Sequence, residues 1–257
     1  MEATTTDNLL NRSVKGTMEH IGALKEIVRH PVKSFRGERV QHTKLMDYGL
    51  YGDRSHVFLD DTRPGKYVTI TQCPKMAQYE ARFAGPDNTE QYPRVEVRSP
   101  NGIVYDWEDE ALKLELEQES KRAISPHSYT PQHVPFGALE EAHILLVTDA
   151  SVRELEQLWG GHIDYNRFRP NLFIQLDDPI PFVEEQWLGR RLRIGAAELE
   201  LNSLCERCMI ITVDPDSGER DASLLKTVVQ ERSSNFGVYA SVLKTGDIEA
   251  GQPIYLI

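Results

Sequence analysis

The alternation of apolar and polar residues along the chain predicts mainly short strands. Short runs rich in apolar or β-branched residues, as is typical of strands, occur at residues 24–28, 95–97, 171–175, 209–213, 238–243 and 254–257. Residues 191–201 predict a hairpin that turns near Gly195. Residues 55–59 and 67–71 flank the turn-forming residues 60–65 and predict a second hairpin.

A period of two also fits the segment around residue 114. Leu112, Leu114 and Leu116 alternate with charged residues, which predicts a half-buried strand. The pattern then disappears over residues 118–141, which are polar and contain proline, histidine and serine. This segment predicts a long loop or a crossing between domains.

Two helices interrupt the strand pattern. Residues 149–159 place apolar side chains on one helical face, with Thr148 or Ser151 as the N-cap and Gly160 at the end. Residues 223–231 show the same spacing. Many short strands and few helices predict an α+β protein that is mainly β and rich in β-barrel structure.

Composition and charge narrow the class of protein. The chain has 257 residues, of which 40% are hydrophobic, so it can form one large domain or two packed domains. The formal net charge of -11 argues against a nucleic-acid-binding protein. Only three cysteines occur, Cys73, Cys205 and Cys208, which favours a reducing compartment over a secreted disulfide fold.

The amino-terminal residues carry no targeting pattern. No run approaches the roughly 18 apolar residues of a membrane helix. Residues 1–20 lack the apolar core of a signal peptide and predict a flexible arm. We therefore expect a cytoplasmic protein without a membrane span, with the mitochondrion as the alternative location.

The cysteine pair Cys205-Glu206-Arg207-Cys208 is the strongest local feature, and several interpretations of it remain open. A structural zinc site needs four ligands, and a second pair is not evident. A thioredoxin-like dithiol favours a helix start, whereas this pair precedes a predicted strand. The two thiols can also be small buried apolar residues, or one of them can bind a soft metal held mainly by another ligand.

Basic residues form a second candidate feature. Lys33, Ser34, Arg54 and Arg169 lie in otherwise acidic surroundings, and arginine forks with serine hydroxyls suit a phosphate group. Taken singly, each is typical of a surface residue. The glycine-rich patterns of dinucleotide and P-loop sites do not occur.

These segments, taken in order, resemble the MOSC family. The chain is similar to the mitochondrial amidoxime-reducing components and their bacterial counterparts. The matching motifs are Y-P-V-K-S at residues 30–34, G-D-R at 52–54, T-x-R-Q-x-P at 69–74, R-F-R-P-N at 167–171 and C-x-R-C-x-x-T-T-V-D-P-x-T-G at 205–218, with further matches at 236–239 and 251–255.

The resemblance implies a fold of two parts. An N-terminal MOSC β-barrel domain over residues 21–117 would pack on a MOSC β-barrel domain with a few helices over residues 118–257, after the arm at residues 1–20. The two domains would share one cofactor.

The resemblance also implies a molybdenum cofactor, a pyranopterin with a dithiolene and a phosphate. Cys208 would be the metal ligand and the catalytic residue, with Cys205 as the alternative ligand. A soft thiolate suits molybdenum already held by sulfur. The implied cofactor-binding residues are Lys33, Ser34, Arg54, Arg169, Asn171, Glu206, Arg207, Cys208 and Tyr239.

The implied activity is reduction of small N-hydroxylated substrates, namely amidoximes and hydroxylamines. Electrons would come from a separate donor, such as a cytochrome b5-type protein and its reductase. The alternative is a non-catalytic cofactor carrier or a sulfur-handling protein, although the pyridoxal-phosphate domain of the cofactor sulfurases is not evident in the chain.

Among the departures from the family pattern, three stand out. Thr71 and Cys73 stand where the family has arginine and glutamate. The family's acidic-hydroxyl pair falls at Glu140 and Glu141, so Glu141 replaces a threonine that touches the cofactor. We therefore do not expect that cofactor contact here.

Overall fold

The computed structural model describes residues 18–139 and 141–257, and within these ranges most regular structure is β. The strands are β1 (Glu19–Arg29), β2 (Glu38–Val40), β3 (His42–Met46), β4 (Gly49–Leu50), β5 (His56–Asp60), β6 (Glu80–Phe83), β7 (Val95–Arg98), β8 (Val104–Asp106), β9 (Ile124–Ser128), β10 (Ile144–Thr148), β11 (Leu172–Leu176), β12 (Arg191–Ile194), β13 (Ala197–Glu206), β14 (Asn235–Lys244), β15 (Gly246–Glu249) and β16 (Pro253–Leu256).

Helical segments are short and lie between the strands. The α-helices are α1 (Glu110–Ser120), α2 (Phe136–Leu139), α3 (Asp149–Trp159) and α4 (Ser223–Arg232). Single 3₁₀ turns cover Pro74–Gln78, Tyr165–Phe168, Val183–Trp187 and Met209–Thr212. The prediction of a mainly β protein with a few helices is confirmed.

Seven strands close into a barrel. Their order is β11-β10-β14-β13-β12-β16-β1, and β1 pairs again with β11 to complete the ring. All pairs except β10 with β11 are antiparallel. Because β1 comes from the start of the described chain, the barrel joins residues 19–29 to strands drawn from residues 144–256.

The barrel interior is filled by aliphatic side chains. Leu24 and Ile27 of β1 are fully buried and stand opposite Ile174 and Leu172 of β11. The close approach of these strands needs a glycine: at Gly22, where φ is +147°, a Cβ atom would lie 2.0 Å from the carbonyl oxygen of Gln175. Alternating inward residues therefore form one apolar core, as in other small barrels.

A second apolar core lies under the smaller sheets of the amino-terminal half. It contains residues from the β5–β9 pair, from the β6-β7-β8 sheet and from α1. Its largest fully buried side chains include Phe35, Phe58 and Tyr79. Phe35 stacks on Tyr79 at 5.1 Å between ring centroids, which adds to the burial energy of both rings.

The strand predicted around Leu112 is wrong, because these residues belong to helix α1. Leu112 and Leu116 are buried whereas Leu114 is 48% exposed. A spacing of four residues satisfies a helix as well as a strand. Asp109 caps the helix through Ala111 N, and this polar start was the signal against a strand.

Other strand predictions are also corrected. Residues 209–212 form a 3₁₀ turn rather than a strand. Strand β5 pairs with β9 along its length, and it meets residue 67 only through a single bridge, so the hairpin predicted at 55–71 is mostly absent. Strand β9 and helix α2 lie within residues 118–141, which were predicted as a loop.

The two predicted helices are confirmed. Helix α3 spans Asp149–Trp159, with the Thr148 hydroxyl accepting from Ser151 N at 3.3 Å and Gly160 in the left-handed region at its end. Helix α4 spans Ser223–Arg232. Both helices contribute to a third apolar cluster, which packs against one side of the barrel strands.

Two expectations about the chain's organisation stand apart from these results. Of the arm predicted at residues 1–20, residues 1–17 lie outside the described residues. Strand β1 begins at Glu19, so the last two residues of the predicted arm belong to a strand. The domain boundary at residue 117 stays a prediction. No described helix has the length and apolar character that crossing a membrane requires.

Candidate functional site at the end of strand β13

A cavity of about 240 Å³ lies where β13 ends, beside β14 and the start of β10. It brings together segments that are far apart in the sequence. Of the predicted site residues, Arg54, Arg169, Asn171, Cys205, Glu206, Arg207, Cys208 and Tyr239 line it. The remaining lining residues are Leu139, Glu141, Ala142, Leu145, Phe168 and Ile210.

The two thiols of the cysteine pair differ in exposure. Cys205 is the penultimate residue of β13 and is only 1% exposed, whereas Cys208 lies after the strand and is exposed. Cys205 Sγ accepts a hydrogen bond from Arg207 Nη1 at 2.8 Å. Of this pair, the Cys208 thiol is therefore the one exposed to a ligand, whereas the Cys205 thiol is buried and already accepts a hydrogen bond.

Arg207 is held in place by its neighbours. Its Nη2 donates to the carbonyl oxygen of Phe168 at 2.8 Å, and its guanidinium carbon lies 5.3 Å from the centroid of the Phe168 ring. The Arg207 Nε is buried and has no hydrogen-bond partner among the described residues. A buried donor without a partner is costly, so this cavity suits a ligand that accepts hydrogen bonds.

Arg54 reaches the cavity from the amino-terminal half. Its side chain forms an ion pair with Asp53, which is fully buried, and the other Asp53 oxygen accepts from His30 N at 2.7 Å. Arg54 Nη2 also approaches the carbonyl oxygen of Arg169 at 3.5 Å. The buried carboxylate thus fixes the direction of the guanidinium.

Arg169 and Asn171 enter from the segment before β11. Arg169 Nη1 donates to the carbonyl oxygen of Phe35 at 2.9 Å, which ties the cavity to the loop after β1. The Asn171 side chain accepts from Leu145 N at 3.1 Å and donates to the carbonyl oxygen of Val28 at 3.3 Å. Asn171 therefore holds β10 and β1 beside the cavity.

Lys33 and Ser34 are not among the lining residues of this cavity. Lys33 is buried, and its Nζ donates at 2.9 Å to the carbonyl oxygen of Ala138, the residue before the lining residue Leu139. Ser34 is 5% exposed and precedes Phe35, the residue whose carbonyl binds Arg169. Both residues are therefore tied to lining residues through the neighbouring backbone.

Backbone conformation singles out three of the predicted residues. Ser34, Arg54 and Arg169 have φ values of 73°, 53° and 57°, in the left-handed region that side chains other than glycine seldom adopt. Lys121 and Ser233, also left-handed, end helices α1 and α4, where this conformation is usual. Arg169 likewise ends the 3₁₀ turn at Tyr165–Phe168, whereas Ser34 and Arg54 end no helix, and left-handed residues of that kind often mark functional sites.

Tyr239 lies on β14, opposite Leu145 of β10 and Ser203 of β13. Burial raises the pKa of its hydroxyl, and the nearby Cys205 thiol raises that pKa further. The phenol is therefore neutral at ordinary pH and can donate a hydrogen bond beside the cysteine pair.

Sequence reasoning missed several residues of the site. Asp53 and Phe168 sit inside the matched motifs, next to Arg54 and Arg169, and this adjacency was the available signal. Ile210 also lies inside a matched motif, whereas the apolar lining residues Leu139 and Ala142 had no such signal. Of the acidic-hydroxyl pair, Glu140 lies outside the described residues, and Glu141 lines the cavity.

Two known domain families match the sequence of this chain. Residues 21–131 match the MOSC N-terminal beta barrel domain, and residues 125–255 match the MOSC domain. Among solved structures, the YuaD protein of Bacillus subtilis is 11% identical, with a TM-score of 0.49 over 93% of this chain and 98% of that protein.

Curated relatives are similar over most of the chain. Mitochondrial amidoxime-reducing component 1 of Danio rerio is 25% identical over 93% of this chain and 86% of its own length. Mitochondrial amidoxime reducing component 2 of Bos taurus is 30% identical over 93% and 84%. The molybdenum cofactor sulfurase of Drosophila mojavensis is 24% identical over 86% of this chain but 32% of its own length. The chain therefore belongs to the MOSC-domain family, with a MOSC N-terminal β-barrel domain and a MOSC domain.

Proposed function

We propose that this protein is a molybdenum-cofactor-dependent oxidoreductase that reduces N-hydroxylated compounds such as amidoximes and hydroxylamines. The observation that carries the proposal is the exposed Cys208 thiol in a cavity lined by three arginine side chains. The similarity to amidoxime-reducing components over 93% of the chain supports the reaction class.

The residues of the cavity fit this cofactor by their chemistry. A thiolate is a soft ligand that suits molybdenum held by dithiolene sulfur. Arg54, Arg169 and Arg207 suit the anionic phosphate and the pterin carbonyl of the same group. The buried Arg207 Nε, which lacks a partner among the described residues, would find an acceptor on such a ligand.

Each residue then has a distinct task. Cys208 would hold the metal. Cys205, whose thiol accepts a hydrogen bond from Arg207, would position the Arg207 guanidinium. Lys33 and Ser34 would support the loop that carries the Arg169 contact. Bound molybdenum would supply the two-electron reduction of the N–O bond, a step that also consumes two protons and releases water.

Proton supply falls to the side chains at the cavity. Glu141 and Glu206 line it and are exposed to solvent, and carboxyl groups so placed are the usual carriers of protons between solvent and a bound substrate. The raised pKa of Tyr239 keeps its hydroxyl protonated, so this side chain donates a hydrogen bond and stays uncharged. The leucine side chains 139 and 145 cover part of the wall and limit water access.

The test is turnover by purified, cofactor-loaded protein with an artificial reductant and benzamidoxime. We expect benzamidine to form at a rate that falls at least about a hundredfold in Cys208→Ala. Cys73→Ala is the matched control, because Cys73 is a buried cysteine of the amino-terminal core, outside the cavity. Equal turnover by wild type and Cys208→Ala would contradict the proposal.

A second candidate function is a cofactor carrier or sulfur-handling protein, favoured by the similarity to molybdenum cofactor sulfurases. Stoichiometric molybdenum without turnover of benzamidoxime would support it over the reductase. For the reductase, we propose a separate electron donor such as a cytochrome b5-type protein with its reductase. The expected location remains the cytoplasm, with the mitochondrion as the alternative that the relatives' names suggest.

A further inference from the structure

A second, larger cavity lies in the amino-terminal half, and its lining shares no residue with the cavity at the cysteine pair. Its volume is about 750 Å³. We name it the aromatic groove. It is lined by four rings, those of His56, Tyr92, Trp107 and Tyr129, by the acidic residues Glu90, Asp106, Glu108 and Asp109, and by Gln91, Pro93, Arg94, Val95, Ser128, Thr130 and Pro131.

The rings of the groove are held by the core beneath them. His56 meets Trp107 at 5.2 Å between centroids, nearly perpendicular, and lies 5.6 Å from Tyr92. Tyr92 is fixed further by hydrogen bonds to the Tyr48 hydroxyl at 3.1 Å and to the carbonyl oxygen of Thr130 at 3.0 Å. The aromatic lining is therefore already formed before a ligand binds.

The charge of the groove is strongly negative. Four carboxylates line it against one guanidinium, Arg94, which is already paired with Glu96 and lies 3.2 Å from Asp106. Within residues 18–139 and 141–257, Glu90 and Glu108 form no ion pair. Asp106 therefore shares Arg94 with Glu96, whereas the carboxylates of Glu90 and Glu108 are not neutralised by a cation of the described residues.

His56 adds no positive charge to the groove near neutral pH. Burial lowers the pKa of its imidazole from 6.5 to about 4. Burial also raises the pKa of Tyr92 and Tyr129, so their rings stay neutral. Neutral electron-rich rings beside unpaired carboxylates attract cations, and they disfavour anions.

We propose that the aromatic groove binds a small organic cation, an ammonium or amidinium group carried on an apolar body. The partly exposed rings of Tyr92 and Tyr129 would cover the apolar body, the mostly buried rings of His56 and Trp107 would form the floor beneath it, and Glu90 and Glu108 would complete the field around the charge. The inference does not rest on the molybdenum chemistry, because the two cavities use different side chains.

The probe is benzyltrimethylammonium, a cation that carries a benzyl ring. Two control compounds carry the same ring: phenylacetate, which is an anion, and benzyl alcohol, which is neutral. In the full-length protein we expect saturable binding of the ammonium compound, measured by calorimetry, at least about tenfold tighter than either of the others. Indole N–H resonances locate the site. The chain has three tryptophans. Binding should shift the indole N–H resonance of Trp107, which lines the groove, and leave those of Trp159 and Trp187 unchanged.

Charge-removing variants test the acidic rim without disturbing the core. We expect Glu90→Gln with Glu108→Gln to weaken binding about three- to tenfold. Glu249→Gln removes an exposed carboxylate on β15, outside the groove, and should leave the affinity unchanged. Cys208→Ser should also bind the probe normally, which separates this site from the cofactor cavity.

Three results would overturn the inference. Phenylacetate or benzyl alcohol could bind as tightly as the ammonium compound, which would mean that charge does not decide recognition. The double glutamine variant could keep the full affinity. Binding could also shift Trp159 or Trp187 in place of Trp107, which would locate the probe elsewhere on the protein.

Discussion

The two cavities of this protein have opposite chemistry although they lie in one acidic chain. The cavity at the end of β13 combines an exposed thiol with three arginine side chains and two carboxylates, those of Glu141 and Glu206. The aromatic groove combines four rings with four carboxylates and a single, already paired arginine. Each cavity has the charge opposite to that of the ligand proposed for it.

This difference shows that net charge says little about a particular site. The formal charge of -11 predicts poor binding of polyanions by the whole surface. It does not prevent buried guanidinium groups from binding one small anionic ligand, because the interaction is local and partly shielded from water. We therefore expect changes in one cavity to leave the other cavity's ligand unaffected.

The largest effect should come from the thiol of the basic cavity. Cys208→Ala should lose nearly all bound molybdenum, since it removes the only exposed thiol among the described cysteines. Cys205→Ala should retain most of the metal, because Cys205 Sγ faces Arg207. Metal analysis of both purified variants checks this. Retention of molybdenum in Cys208→Ala together with its loss from Cys205→Ala would reverse the ligand order.

The next largest effect should be the loss of folding stability in acid that is caused by His56, the histidine of the aromatic groove. The His56 pKa is about 4 in the folded protein and near 6.5 in the unfolded chain. Above pH 6.5 the imidazole is neutral in both states, so its protonation does not change the free energy of unfolding. As pH falls from 6.5 to 4, the unfolded chain takes up a proton that the folded protein does not, which destabilises the fold by about 3 kcal/mol in total.

Urea unfolding at pH 7 and pH 4 measures this loss. The free energy of unfolding of His56→Gln should fall by about 3 kcal/mol less than that of wild type over this interval. His42→Gln is the matched control, since the His42 side chain is 62% exposed. Equal acid dependence in wild type and His56→Gln would show that the groove does not keep the imidazole neutral.

A smaller effect should follow the loss of one arginine from the basic cavity. Arg54→Met should weaken cofactor retention roughly ten- to a hundredfold, the usual range for a hydrogen bond to a charged group of about 1.5–3 kcal/mol. Arg94→Met removes the arginine of the aromatic groove instead and should leave the cofactor in place. Cofactor content after dialysis, measured by metal analysis, separates the two variants.

The smallest effect should come from reversing one charge on the groove rim. Glu108→Lys should weaken binding of benzyltrimethylammonium by roughly three- to tenfold and leave molybdenum content unchanged, because an exposed charge is largely screened by water. Calorimetry with Glu249→Lys as the control checks the first part. A simultaneous loss of cofactor would mean that the two cavities are coupled.

Local sequence patterns predicted the secondary-structure elements whose start, apolar face and end are all encoded within one short segment. Helix α3 is an example, because its cap at Thr148, its apolar face and its terminal Gly160 all occur within one short segment. Helix α1 was missed because Leu112 and Leu116 fit two periods equally well. Residues 209–212 carry β-branched side chains, but their contacts with helix α4 and with residues 165–168 override that preference.

The candidate site was predictable only in part. Motif resemblance identified Arg54, Arg169 and the cysteine pair, and these residues share one cavity. It did not predict that Lys33 would donate to the carbonyl oxygen of Ala138 and not be among the residues that line the cavity. The aromatic groove had no motif at all, because its rings come from separate loops and strands.

The sequence by itself determined the class of protein and the helices α3 and α4, and it pointed to the cysteine pair as a candidate site, since each depends on residues close together in the chain. Tertiary structure alone decided that Cys205 is buried and Cys208 exposed, and that β1 closes a barrel with β11 and β16. It also decided that rings and carboxylates from residues 56–131 form one groove. These outcomes depend on packing between distant segments, and such contacts leave no periodic signal in the sequence.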